Sequence, residues 1–286
     1  KKARAEKAKR YGCCKRTKTG LWSSAMSSLL QEVVALELGW REPWADDSKL
    51  FQPHEDTQAQ SNERAQSLAV QCFLRMCGLQ HVVEQRMNAE FISPTGTTPV
   101  LKCGSFILSE LESIVSFVSS KGVSLTSDLS QAEKADFNAY FSLAQTLLSS
   151  AELYFSWISE PGYEITFARY GSVYPWPLNG ILSWRKRREV KKLLNDWSRK
   201  HDVEVFEEIE SCVAAFSKRL ADGPFFFGEK PTELDALVFG HLFVLLHPGP
   251  EAAPGLRQIA PQIAKFPNLV KFCTDIESRW FEGELQ

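Results

Sequence analysis

The segment that decides the fold is residues 231–246, PTELDALVFGHLFVLL. Thr232 followed three residues later by Asp235 is the pattern of a capping box, with Asp in place of the more usual Glu or Gln. After Asp235, only Gly240 and His241 interrupt a run of apolar residues. A helix that is apolar on every side must be surrounded by protein or lipid, and this run is shorter than the ~20 residues that cross a bilayer. The segment therefore predicts a buried helix at the centre of a helical domain.

Composition and charge place the rest of the chain in an ordinary class. The 286 residues are 44% hydrophobic and 24% charged, which is typical of globular proteins long enough for two domains. Nine Lys and Arg against one Glu fall in residues 1–20, whereas the whole chain has a net charge of −2. The remainder is therefore mildly acidic, which does not favour nucleic-acid binding. The seven cysteines are scattered, and we expect free thiols in a reducing compartment.

The first 48 residues are expected to lie outside the main domains. Residues 1–25 are basic but have no clear apolar face, so we interpret them as a disordered or non-native leader. Residues 26–48 begin with apolar residues at helical spacing and end with two tryptophans, which predicts an amphipathic N-terminal arm. Packing on the folded body is the favoured interpretation of this arm, and contact with a membrane surface is the alternative.

Residues 49–120 have the order of elements typical of a thioredoxin-like domain. Short apolar runs predict four strands, at 49–52, 81–86, 100–103 and 106–108. A helix between the first two strands is predicted to be capped by Ser61 or Asn62 and to end at Gly78. A second amphipathic helix is predicted from Leu111, after the last strand.

Beyond a polar linker at 121–130, residues 131–286 are predicted to form an all-helical domain. Apolar residues at helical spacing predict five helices, at 131–159, 179–198, 203–220, 232–246 and 267–281. Residues 166–177 are interpreted as an irregular break between two of them. The two prolines on either side of Trp176 preclude a continuing helix there.

Two stretches of this chain resemble the metaxins, which have a glutathione-transferase-like fold. One is residues 225–242, FFFGEKPTELDALVFGHL, and the other is residues 168–179, ARYGSVYPWPLN. The resemblance extends from about Met26 to about Phe281. It implies an α+β, mostly α fold, with a thioredoxin-like N-terminal domain followed by an all-helical C-terminal domain. It also implies a cis peptide bond at Pro99, an isomer that the residues alone leave open.

The same resemblance implies a function. It implies a non-catalytic adaptor subunit, peripheral on the cytosolic face of the mitochondrial outer membrane. Its work would be protein import and the sorting and assembly of β-barrel outer-membrane proteins. The implied partners are a metaxin-1-like subunit and the β-barrel assembly channel of that membrane. Neither a cofactor nor a metal is implied.

The residues argue against the alternative, a glutathione-transferase-like enzyme or small-thiol-binding protein. Such a protein would need a Tyr, Ser or Cys near the start of the first helix, where residues 50–62 offer only the hydroxyls of Thr57 and Ser61. It would also need an acid and a serine opening the last helix of the thioredoxin-like domain. Glu110 matches the acid, but Leu111 replaces the serine and removes a donor from that helix N-terminus. The sequence also lacks CxxC, HExxH, nucleophile-elbow and nucleotide-loop motifs, so we assign no catalytic, cofactor or metal residue.

A stretch rich in arginine and aromatic residues is the best candidate for partner binding, because these types are enriched at interface hot spots. The candidate residues are Arg169, Tyr170, Tyr174, Pro175, Trp176, Pro177 and Trp184. The prolines restrict the loop and reduce the entropy lost on binding. The alternative is that these aromatic side chains fill a cleft between the two domains.

A basic helix face directly follows this stretch. Its members are Arg185, Arg187, Arg188, Lys191 and Lys192. Such a face could meet anionic phospholipid or an acidic partner, and the alternative is plain solvation. Three further residues, Pro99, Thr232 and Asp235, are predicted to be structural.

Overall fold

A mixed β-sheet opens the fold in the computed structural model, which describes residues 43–249, 252–282 and 284–285. The strands are β1 (Lys49–Gln52), β2 (Val82–Gln85), β3 (Val100–Cys103) and β4 (Phe106–Ser109). Their order is β2-β1-β3-β4, with β1 parallel to β2 and the other two pairings antiparallel. Three helices complete this part of the chain: α1 (Ser61–Met76), α2 (Ala89–Ile92) and α3 (Leu111–Ser120). The strand predictions agree with these bounds to within one residue.

Helices account for most of the chain after residue 130. One continuous helical run consists of α4 (Gln131–Leu143), a π-helical segment (Ala144–Leu148), α5 (Ser149–Leu153) and a second π-helical segment (Tyr154–Ile158). The later helices are α6 (Glu160–Gly171), α7 (Leu178–Leu193), α8 (Asp202–Leu220), α9 (Glu233–Leu246), α10 (Pro254–Ile263) and α11 (Pro267–Trp280). Within the described ranges, no helix has both the length and the apolar character needed to cross a membrane.

The core is centred on α9, as residues 231–246 predict. Every residue of this helix from Glu233 to Leu245 is buried. Thr232 and Asp235 form the predicted capping box, and the Asp235 carboxylate accepts hydrogen bonds from the Thr232 backbone at 2.7 Å and the Phe226 backbone at 2.9 Å. These bonds satisfy the backbone N–H groups of the N-cap residue and of Phe226, which lie where water does not reach.

A buried polar network joins α9 to α1 and α5. The Nδ1 atom of His241 lies 2.9 Å from Oε1 of Glu152, and both side chains are fully buried. Asn62 donates to the other oxygen of Glu152 at 3.0 Å, and the amide nitrogen of Gln66 lies 3.3 Å from the Nε2 atom of His241. Polar groups this deep stabilise a fold only when they are partnered, and these four partner one another.

Two sequence predictions need correction. The break predicted at 166–177 is wrong for residues 166–171, because α6 continues to Gly171 and the chain is irregular only at 172–177. Helices α6 and α10 were also missing from the predictions. Both begin with a proline in the first turn, at Pro161 and Pro254, where the missing N–H group costs nothing.

Of the remaining predictions, the cis bond at Pro99 is confirmed, and those on the N-terminal residues and the domain boundaries are not tested. The Thr98–Pro99 bond is cis, as the resemblance implies, and the Trp176–Pro177 bond is cis as well. The interpretations of residues 1–25 and of nearly all of the arm at 26–48 lie outside the described residues. Residues 121–130 contain neither helix nor strand, while Trp44–Gln286 form one compact unit, and the domain boundaries stay a prediction.

Candidate partner-binding surface

The end of α6 faces inward and holds the loop that joins β1 to α1. The Nε atom of Arg169 donates to the carbonyl oxygen of Ala59 at 2.8 Å, and its Nη2 atom donates to the carbonyl oxygen of Glu55. Ser172 donates from its hydroxyl to the carbonyl oxygen of Thr57 at 3.1 Å. The Arg169 side chain is therefore engaged within the protein, in the manner of the domain-packing alternative.

Tyr170 is likewise an interior residue, with an exposed fraction of 2%. Its hydroxyl donates to Glu90, whose other carboxylate oxygen accepts from the ammonium group of Lys186 at 3.0 Å. Burial raises the pKa of Tyr170, and the Glu90 carboxylate beside it adds to that effect. Burial alone would lower the pKa of Lys186, but the nearby carboxylates of Glu63 and Glu90 outweigh it and raise that pKa. The three bonded side chains connect α6, α2 and α7.

Tyr174 marks the point where the stretch turns from interior to surface. Its side chain is half-buried, its hydroxyl lies 3.5 Å from the carbonyl oxygen of Met87, and burial raises its pKa. Pro175 and Pro177 are exposed on either side of Trp176. The indole of Trp176 is 86% exposed and is the most exposed large apolar side chain among the described residues.

Other exposed apolar side chains lie next to Trp176 in the chain or on a segment that is bonded to Tyr174 and Lys186. Leu178, at the start of α7, is exposed, and so are Met87 and Phe91 from the segment around α2. The contacts Tyr174–Met87 and Lys186–Glu90 hold that segment against α7. We call Met87, Phe91, Trp176 and Leu178 the docking surface. Sequence analysis identified only Trp176. Met87 and Phe91 come from a distant segment that shares no pattern with it, and Leu178 is a single apolar residue two positions further on.

The outer side of α7 carries the exposed members of the predicted basic face. Arg185, Arg188, Lys191 and Lys192 are exposed, whereas Arg187 turns inward. Its guanidinium donates to the carbonyl oxygen of Trp157 at 3.1 Å and to Glu160 at 2.7 Å, and it lies 3.6 Å from the centre of the Tyr163 ring. Trp184 and Ile181 are exposed on the same side as the four basic residues, with Arg188 over the Trp184 ring at 5.5 Å.

Glu110 and Leu111, where the enzyme alternative would need an acid and a serine, are engaged within the protein. The Thr97 hydroxyl donates to the carboxylate of Glu110 at 3.3 Å, and the Leu111 side chain is buried. Thr57 is exposed, and its carbonyl accepts the Ser172 hydrogen bond. Burial raises the pKa of Cys77 and of Cys212 to about 12, far from the range of a reactive thiolate.

The fold defines the class of this protein as glutathione-transferase-like. Residues 209–276 match the family model described as glutathione S-transferase, C-terminal domain. A glutathione transferase family member from Pseudomonas fluorescens superimposes with a TM-score of 0.50 over 86% of this chain and 94% of that one, at 14% identity. That likeness shows the fold alone, and it confirms the predicted fold class.

Sequence relatives then give the particular family. Residues 67–187 match the family model described as outer mitochondrial membrane transport complex protein. Metaxin-2 of Homo sapiens is 42% identical over 89% of this chain and 97% of its own length. Metaxin-1 of Mus musculus is 29% identical over 75% of this chain and 69% of its own length. The chain belongs to the metaxin family, and the resemblance found in residues 168–179 and 225–242 is confirmed.

Proposed function

We propose that this chain is a non-catalytic adaptor subunit, peripheral on the cytosolic face of the mitochondrial outer membrane. It acts in protein import and in the sorting and assembly machinery that inserts β-barrel proteins. Support comes from its membership of the metaxin family and from the match to a model described as an outer mitochondrial membrane transport complex protein. The mechanism is recruitment by docking, in which no bond is made or broken.

The observation that carries this proposal is the exposed docking surface. Trp176 is 86% exposed, and Met87 and Phe91 are each more than half exposed. Large apolar side chains that are exposed on segments bonded to each other are candidates for an interaction site, and tryptophan is among the residues most enriched at interface hot spots. A partner that covers this surface removes apolar area from water, which is the main favourable term in association.

The loop that presents Trp176 is fixed in place before any partner arrives. Arg169 and Ser172 bond to the loop after β1, Tyr170 bonds to Glu90, and two prolines flank the indole. A surface held in this way loses little conformational entropy on binding. The partners that we propose for it are a metaxin-1-like subunit and, through that subunit or directly, the β-barrel assembly channel.

Replacement of Trp176 tests the proposal. We expect Trp176→Ala to reduce recovery of a metaxin-1-like protein about tenfold or more when the tagged chain is purified from gently solubilised mitochondria. Loss of a hot-spot tryptophan typically costs at least 2 kcal/mol of binding free energy. The measurement is quantitative mass spectrometry of the co-purified proteins.

A matched variant makes that result specific. Val203→Ala truncates an exposed apolar side chain on α8, away from the docking surface, and should leave recovery unchanged. Thermal melts of both variants should match that of the unmodified chain, because neither side chain is in the core. Full recovery with Trp176→Ala combined with Phe91→Ala would contradict this docking surface.

A further inference from the structure

One side of α7 combines apolar and basic residues in a single line. Ile181 and Trp184 are exposed in its first half, and four exposed cations follow them along the helix. We call those cations the basic row: Arg185, Arg188, Lys191 and Lys192. Residues three or four apart share a helix side, so 181, 184, 188 and 191 face the same way. The inner side of α7 is formed by Leu182 and Val190, which are buried.

The charge on this side of α7 is strongly positive. The exposed acid there is Glu189, and its carboxylate lies 3.5 Å from Arg185. Arg188, Lys191 and Lys192 remain on the outside of the helix beyond that pair. Their charges extend away from the Glu90–Lys186 ion pair, which lies on the inner side next to α2.

We propose that this outer side of α7 binds directly to an anionic phospholipid bilayer surface. Ile181 and Trp184 enter the interfacial layer, and the basic row lies on the headgroup phosphates. Ile181 to Lys192 spans about 17 Å at 1.5 Å per residue, so the helix offers a long side that can lie flat in the membrane plane. Tryptophan and aliphatic residues with Lys and Arg beside them are the composition of helices that bind in this way.

The positive charge of the basic row, with apolar side chains beside it, favours lipid as the binding partner of this side of α7. Each Lys or Arg near an anionic bilayer adds a comparable increment of attraction, and the row supplies several increments in one line. Ile181 and Trp184, exposed beside the row, add the apolar contact that the interfacial layer of a bilayer provides. The proposal is independent of which protein occupies the docking surface, because it uses different side chains.

Vesicle cosedimentation of the full chain tests this proposal. The probes are phosphatidylcholine vesicles with and without phosphatidylinositol. We expect binding to the anionic vesicles that Arg188→Gln/Lys191→Gln/Lys192→Gln weakens about tenfold or more. Ile181→Ser/Trp184→Ser, which keeps the charge, should also weaken it severalfold. Added salt should weaken binding of the unmodified chain.

A charge-matched control separates this surface from general attraction by the basic N-terminal residues. Lys134→Gln/Lys218→Gln/Lys271→Gln removes three exposed charges from α4, α8 and α11 and should bind as the unmodified chain does. Equal weakening by both triple variants would overturn the proposal, since net charge alone would then explain binding. Unchanged vesicle binding by the α7 triple variant would also overturn it. Loss of an acidic protein from the co-purified set with that variant would then identify a protein as the occupant.

Discussion

Gly240 has no side chain at the place where α9 meets α1, and this sets the distance between the two helices. A Cβ atom there would lie 2.4 Å from the carbonyl oxygen of Ala65 and 2.9 Å from the Cβ atom of Ala69. We expect Gly240→Ala to lower the free energy of unfolding by about 1–3 kcal/mol, because the backbones must move apart. Urea denaturation followed by circular dichroism measures the change.

Gly180 supplies the control for that substitution. It also lies in a helix, but its nearest neighbour for an added Cβ atom is the Phe167 ring at 4.0 Å. Gly180→Ala should therefore be neutral or stabilise the protein by up to about 1 kcal/mol, through helix propensity alone. Equal stability of the two variants would show that α1 and α9 do not approach as closely as described.

Asp235 gives the protein a pH dependence with a definite sign. Burial raises the pKa of Asp235 to about 6, in spite of the hydrogen bonds that its carboxylate accepts. The folded state therefore binds a proton more readily than the unfolded state, in which the pKa is about 3.9. The stabilisation from this group is complete below the unfolded value and is lost as the pH rises through about 6.

A comparison with Asp235→Asn isolates this contribution from other carboxylates. We expect the unfolding free energy of the unmodified chain minus that of the variant to be about 2–3 kcal/mol larger near pH 4 than near pH 7. Chemical denaturation of both proteins across that range is the measurement. A difference that grows with rising pH would reverse the sign and refute the assignment.

Among the elements, α7 shows why charges in one basic segment have different roles. The Lys186 side chain is 22% exposed and its ammonium group pairs with Glu90, whereas Lys192 lies outside on the basic row. Lys186→Met leaves the Glu90 carboxylate without its cation, and we expect a loss of about 1–3 kcal/mol of stability, between the values for surface and buried pairs.

Lys192→Met is the matched control for Lys186. It removes the same charge and keeps a similar length of side chain, yet should change stability by no more than about 0.5 kcal/mol. Thermal or urea unfolding of the two variants and of Glu90→Gln measures the difference. Similar small effects for both lysines would mean that the Glu90–Lys186 pair does not hold α2 to α7.

The elements that sequence predicts well have local signals. The capping box and apolar run fix α9, and the strands β1, β3 and β4 have short apolar runs with clear ends. Helix α6 was missed because Pro161 and Gly162 suggest a break, although proline is favoured in the first turn of a helix. Proline at 254 and 261 concealed α10 in the same way.

The candidate surface was predictable only in part, for a related reason. Residue types identified the stretch from Arg169 to Trp184. Which of its side chains are buried and which are exposed, however, depends on contacts with backbone groups far away in the sequence. Arg169 bonds to carbonyl groups 110 and 114 residues away, and a carbonyl has no sequence signature. Met87 and Phe91 join the docking surface only because Tyr174 and Lys186 bond to the segment around α2, and the residue pattern does not reveal these contacts.

The whole molecule has a glutathione-transferase-like fold. Because enzymes share this fold, binding and conjugation of glutathione are tested by experiment. The Glu110 carboxylate already accepts from Thr97, and Leu111 offers no hydroxyl. We therefore expect the purified chain to pass through immobilised glutathione and to catalyse no conjugation of glutathione to an electrophile. A known glutathione transferase on the same resin is the positive control, and specific elution by free glutathione would restore the enzyme alternative.

The exposed indole of Trp176 also makes the protein its own optical probe. Tryptophan emission shifts to shorter wavelength when the ring leaves water, and the other seven tryptophans, among them the buried Trp157, supply the background against which the shift is measured. A partner that covers the docking surface should thus produce a blue shift that disappears in Trp176→Phe. Assembly could then be followed in real time, without a dye or a fused label, from the light emitted by one native side chain.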